Sequence, residues 1–200
     1  MPLQNRVDPY GTIFRTPARG TMMGNRGGCI HNDRREIVRP YKSRRWIACV
    51  LEFKNRHRVV MTPNRYTELF FLDEVVALAA GHRPCAECRR ADYNAFRAAW
   101  SSHLPSADEM DLAVHPARIA SDGRKVTYQA PLTSLPNGTL IEFQDQPWLV
   151  LDDSLLLWTP VSYTRRLSRP PRVTVTVLTP APIVACLRSG YIPATHESSR

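Results

Sequence analysis

The sequence has almost no lysine. Three of its 27 basic residues are lysines, Lys42, Lys54 and Lys125, and the rest are arginine. It has no apolar run near the roughly 18 residues that cross a bilayer. The opening "MPLQNRVDPYGTIFRTPARG" lacks the apolar stretch of a secretory signal. These absences point to a soluble cytoplasmic protein with no membrane partner. Cysteine is sparse and odd in number: Cys29, Cys49, Cys85, Cys88 and Cys186. Five thiols in a reducing compartment exclude a disulfide framework and favour metal binding or burial. No serine-elbow motif, HNH pattern or His-Glu-x-x-His is present, so the common hydrolase signatures are missing.

What is there is charge on one side. The net charge is +9. Residues 1–100 carry 18 basic and 9 acidic groups, whereas residues 101–200 carry 9 of each. Arginine grips phosphate with a planar fork and stacks on bases, so this excess fits a nucleic-acid partner. An arginine-rich codon bias would give the same composition.

Along the chain, residues 1–20 read as irregular. "RGTMMGNRGG" reads as a turn, or as a phosphate-cradling loop with Arg19 and Arg26 as clamps. Strands are expected at 46–53 and 57–62, with "KNRH" between them, and again at "YTELFFLD". "EVVALAAG" predicts a helix stopped by Gly81, and a second helix runs from Ala86 to Ser102. "SADEMDLAVHPARIA" opens with a capping signature and predicts a third. Residues 121–136 read as a linker. From Gly138 the chain is β-rich, with "RVTVTVLT" alternating strictly, then a short helix "APIVACLRSG" and a loose tail at 194–200. The expected fold is α+β: a small zinc-stabilised sheet with flanking helices at 20–105, a helix and linker at 106–135, and a small β-barrel or sheet domain at 136–193.

The chemistry concentrates in "GHRPCAECRR". Two cysteines three apart, after a proline and before a helix, suit two thiolate ligands, because helix N-terminal amides stabilise negative sulfur. An inert pair and a redox pair are the alternatives. Zinc needs about four N or S donors. The remaining two come from Cys29, His31, Cys49, His57 and His82. Cys186 reads as packing.

"YTELFFLDEVVALAAGHRPCAECRR" resembles the Ada-type zinc-binding module, found in the bacterial methyl-phosphotriester repair protein and appended to some nucleases. The resemblance covers residues 46–90 and is carried by "LFF", "EVVALAAG" and "HRPCAECRR". His82 stands where the family usually has an aromatic. The resemblance implies a four-ligand zinc, with Cys85 and Cys88 as its last two ligands and the first two on the preceding hairpin. Only Cys49 lies there. The spacing matches neither variant of the module; the fourth ligand is then His31 or Cys29, with His31 preferred because its imidazole resembles the His/Cys variant. The whole chain also resembles a family of bacterial proteins sharing "GNRG", "YTELFFLDE", "GHRPC" and "LTP" segments, a resemblance that brings no activity with it.

The expected function is zinc-ordered binding of nucleic acid, DNA first, in repair or processing. The phosphate-binding candidates are Arg26, Arg34, Arg35, Lys42, Arg44, Arg45, Arg56 and Arg58. Tyr41 and Trp46 beside them read as a stacking surface, or as core next to a basic turn. The alternatives are an enzyme, with Cys49 accepting an alkyl group or an open zinc position activating water, and a metal-stabilised protein-interaction module.

Overall fold

A computed structural model describes residues 1–55, 59–101 and 103–200. Short runs of alternating burial build a first sheet from β1 (Gln4–Val7), β2 (Ile13–Arg15), β3 (Met22–Arg26), β4 (Trp46–Cys49) and β5 (Leu69–Phe71). The period of two turns one face of each strand inward. On β3 that face is Met22, Gly24 and Arg26. With β6 (Arg83–Pro84), these strands lie in the order β2-β1-β5-β3-β4-β6. β1 and β5 are parallel, as are β4 and β6.

Helix α1 (Glu74–Ala79) follows β5 directly. Asp73 caps it by accepting from the Val76 amide at 3.0 Å. Gly81 ends the turn with φ +83, and a side chain there would collide with Arg118. Every residue of α1 is buried. Its apolar residues Val75 and Val76 join a core that holds Val7 and Phe71 from the first sheet and Leu140, Leu149 and Leu156 from the second. Burying one such aliphatic side chain contributes about 1.5–3 kcal/mol. Helices α2 (Arg90–Trp100) and α3 (Ala107–Arg118) come next, and α3 starts with the Ser106/Glu109 capping box.

The second sheet is antiparallel and comprises β7 (Tyr128–Pro131), β8 (Leu140–Phe143), β9 (Gln146–Leu151), β10 (Ser154–Trp158), β11 (Tyr163–Ser168) and β12 (Thr174–Val177). Its order is β11-β10-β9-β8-β12-β7, an open sheet with no closed barrel among the described residues. Helix α4 (Ala181–Arg188) packs Ile183, Cys186 and Leu187 against Tyr93 and Phe96 of α2 and Met110 of α3. Cys186 is packing, as its apolar setting suggests.

Several local expectations change. Residues 1–20 are not irregular: β1 and β2 pair with each other, and β1 adds to β5. "MMGNR" is a strand, and the Gly27 amide is taken by the Asn25 side chain at 3.0 Å, so this segment is not an open phosphate cradle. The expected linker contains β7, held by β12 from Thr174↔Pro131 to Val177↔Tyr128. The tail is docked: the His196 amide donates to Asp73 at 2.9 Å, and Ser198 accepts from the Tyr163 amide at 2.9 Å. No strand covers 59–62. His57, with Arg56 and Arg58, lies outside the described residues.

Candidate metal centre

The parallel β4–β6 pair sets Ala48 beside Pro84. The next residue on each strand is a cysteine, and the Cys85 amide donates to the Ala48 carbonyl at 2.9 Å. The chain then turns, with the Arg89 amide on the Cys85 carbonyl at 3.2 Å. This turn delays α2 to Arg90 and swings Cys88 back toward β4. The ligand sulfurs of Cys49, Cys85 and Cys88 all lie within 4.8 Å of one another. Cys49 and Cys85 are buried and Cys88 is half-buried. β4 ends at Cys49 rather than running to residue 53 because the chain peels off there, with the Val50 amide turned onto the Cys88 sulfur.

The sulfurs act on one another: the neighbouring Cys49 thiol pulls Cys85 down to about 5 and lowers Cys88. Backbone amides of Glu87 and Cys88 add to the stabilisation of Cys85. Cys49 itself is pushed far up, first by those same sulfurs and then by burial. Three crowded sulfurs do not all ionise against one another without a cation among them. A cleft of about 170 Å³ opens beside the sulfurs, lined by Ile47, Leu51, Phe53, Tyr66 and Glu87. The three cysteines are therefore close enough to hold a metal ion.

His31 is not brought to the sulfurs. Its Nδ1 lies 2.6 Å from the Thr67 hydroxyl and its Nε2 3.3 Å from the Thr62 carbonyl. Cys29 stays with it, donating to the His31 carbonyl at 3.3 Å. The two side chains form a separate corner, His31 buried and Cys29 half-buried. Among the described residues, the cluster holds three ligands.

The basic candidates divide. Arg34, Arg35, Lys42, Arg44 and Arg45 are exposed on the segment between β3 and β4. Arg45 forms a two-pronged ion pair with Asp108 at 3.1 and 3.3 Å. Arg26 is not a surface group. It is 3% exposed, donates to the Gly11 carbonyl at 2.7 Å, and lays its guanidinium 4.1 Å from the ring centre of Trp46. Trp46 is buried as well, so it belongs to the core and not to a stacking surface. Sequence reading missed Arg118, whose guanidinium lies 4.0 Å from the same ring. Seventy-two positions separate Arg118 from Trp46, and nothing in the local pattern of "HPAR" points to that partner.

No helix among the described residues is long and apolar enough to cross a membrane. Set against protein-family models, curated proteins and solved structures, the chain matches none of them.

Proposed function

We propose that Cys49, Cys85 and Cys88 supply three of the ligands of a structural zinc, and that the protein binds nucleic acid, DNA first, through the arginines this centre helps to order. The observation that carries the zinc reading is the meeting of three sulfurs from two parallel strands and a turn. Zinc–sulfur bonds of about 2.3 Å in a tetrahedron put sulfurs about 3.8 Å apart, a spacing this cluster can adopt. Such a centre contributes on the order of 10 kcal/mol of folding free energy. The exposed Arg34, Arg35, Lys42 and Arg44 support the phosphate-binding reading. Arg45 adds to it, because its pair with Asp108 is 69% and 71% exposed and exchanges readily for phosphate. Fluorescence anisotropy with duplex and single-stranded DNA and RNA tests this. Alanine at Arg34, Arg35 and Arg44 is expected to weaken binding and to reduce the salt slope by about 0.9 for each lost phosphate contact. Unchanged binding and slope would sink the surface assignment.

A second reading rests on one observation: Cys49 lines the cleft beside the cluster. A zinc thiolate there would attack a methyl phosphotriester, forming a carbon–sulfur bond and releasing the phosphodiester. Mass spectrometry after incubation with methylated DNA would show one added methylene on Cys49. An unchanged mass at full zinc loading counts against it.

A further inference from the structure

A second cleft, of about 460 Å³, lies away from the sulfurs. Arg26, Arg118 and Lys125 line it with Tyr10, Ile13 and Trp46. Its volume is in the range of small-molecule sites, about 300–1,000 Å³. Three cations from three separate parts of the chain converge here. Arg26 and Arg118 are each 3% exposed. Their hydrogen bonds go to neutral acceptors: Gly11 and Pro40 carbonyls for Arg26, Gly81 and Arg44 carbonyls and the His115 ring for Arg118. Lys125 donates to the Ala79 carbonyl at 2.7 Å. The Nε of both arginines is buried without a partner among the described residues. Among the described residues, no carboxylate forms an ion pair with any of the three.

Carbonyls satisfy N–H groups but leave the charge in place, and buried charge is costly unless it is compensated. The cost is visible. Burial pushes Arg26 and Arg118 down to about 9, and burial with the neighbouring Arg26 pushes Lys125 down to about 7. The nearby acids compensate little. Asp8 acts on Arg26 and Lys125, but it accepts from the Thr12 amide, and burial raises its own pKa. Asp111 acts on Arg118, yet both its oxygens bind Arg83 at 2.9 and 2.8 Å. Glu142 and Asp145 act on Tyr10. Arg124, also on the cleft, is paired with Asp122 at 2.6 Å.

Arg26 and Arg118 stay charged at neutral pH, and a bound anion would hold the proton on Lys125. Of the two acids that act on these cations, only Asp8 lacks an ion pair of its own among the described residues, so the cleft has room for a dianion. We propose that this cleft binds a phosphate dianion, held by Arg26, Arg118 and Lys125, with Ile13 and Tyr10 receiving the organic part of a small phosphate monoester. A phosphate monoester carries about −1.5 to −2 at neutral pH, whereas a carboxylate supplies only one charge. Guanidinium forks match phosphate oxygens. The site goes beyond the nucleic-acid surface proposed above and uses none of its exposed arginines.

Calorimetry on the full chain tests it with three probes: phenyl phosphate, inorganic phosphate and benzoate. Phenyl phosphate is expected to saturate one site per chain, with benzoate weaker by about tenfold, the worth of one charge-assisted bond. Lys125→Gln is expected to weaken phenyl phosphate by about as much. Ile13→Trp, which narrows the cleft without touching a cation, should also weaken it, and it serves if Lys125→Gln does not fold. Stronger binding of the ester than of inorganic phosphate identifies a phosphorylated metabolite as the natural source. Equal binding identifies free phosphate. Alanine at Arg34, Arg35 and Arg44 should leave all three affinities unchanged, so failure of the nucleic-acid reading and failure of this one separate. The proposal is overturned if no probe saturates folded protein, if both cleft variants bind like wild type, or if the exposed-arginine variant loses binding.

Discussion

The amide of Cys85 donates to the carbonyl of Ala48 at 2.9 Å, and this one bond sets the Cys85 sulfur beside Cys49. Sheet pairing, not the C-x-x-C turn alone, brings the three sulfurs together. Cys49→Ser should therefore lose metal as completely as Cys85→Ser. Elemental analysis with thiol titration before and after chelation checks this. One zinc per chain and three thiols released by chelator are expected, while Cys29→Ser and His31→Ala keep the metal. Metal retained by Cys49→Ser would remove β4 from the centre.

Arg83 immediately precedes the cysteine turn and forms a buried two-pronged pair with Asp111 of α3, the two side chains 7% and 4% exposed. Asp111→Ala strands that guanidinium and should cost about 3–5 kcal/mol. Asp108→Ala, which removes the exposed partner of Arg45, should cost less than about 1 kcal/mol. Urea denaturation of the two variants reads the contrast. Equal costs would mean that the Arg83 pair is hydrated in solution.

His82 is fully buried between Trp46 and Phe71, at ring distances of 5.1 and 4.7 Å. Neither ring nitrogen has a hydrogen-bond partner among the described residues. Burial, then Arg26 and Arg118, hold its pKa well below 6.5. As pH falls through 6.5 the unfolded chain binds a proton that the folded ring refuses. The stability contributed by the neutral ring is thus present above pH 6.5 and is lost in acid. His82→Phe removes an unsatisfied polar group, worth about 1–3 kcal/mol, and should raise the melting temperature more at pH 5.5 than at pH 8. Melting curves of equal pH dependence would refute this.

Removing residues 194–200 should destabilise the protein. The cut takes the Ala194 amide from Glu74 and the His196 amide from Asp73, and leaves two buried carboxylates short of donors. Each lost bond to a charged group is worth about 1.5–3 kcal/mol. Denaturation of the truncated chain measures it, and unchanged stability would show that the tail is loose after all.

What the sequence revealed follows the range of each interaction. The α3 cap and the Cys85–Cys88 spacing are written within four residues, and both are found as read. Strand β1 depends on β5, more than sixty residues away, and its own four residues carry too little pattern to announce it. Arg26 read as a surface clamp because arginine usually is one. Yet it shares the two-residue period of Met22 and Gly24, which assigns it to the inner face. His31 shares a local pattern with Cys29, but its partners Thr62 and Thr67 come from a distant segment that spacing cannot identify.

Glu74 and Asp73 meet their partners Tyr191, Ala194 and His196 across 117 to 123 positions of chain. Arg89 neutralises Glu74 from only fifteen residues away, at 2.7 Å, and the Val76 amide serves Asp73 locally. The distant donors add what local pairing leaves out: they fasten residues 191–196 to the first turn of α1, so the far end of the chain acts as a clasp on the helix that both sheets enclose.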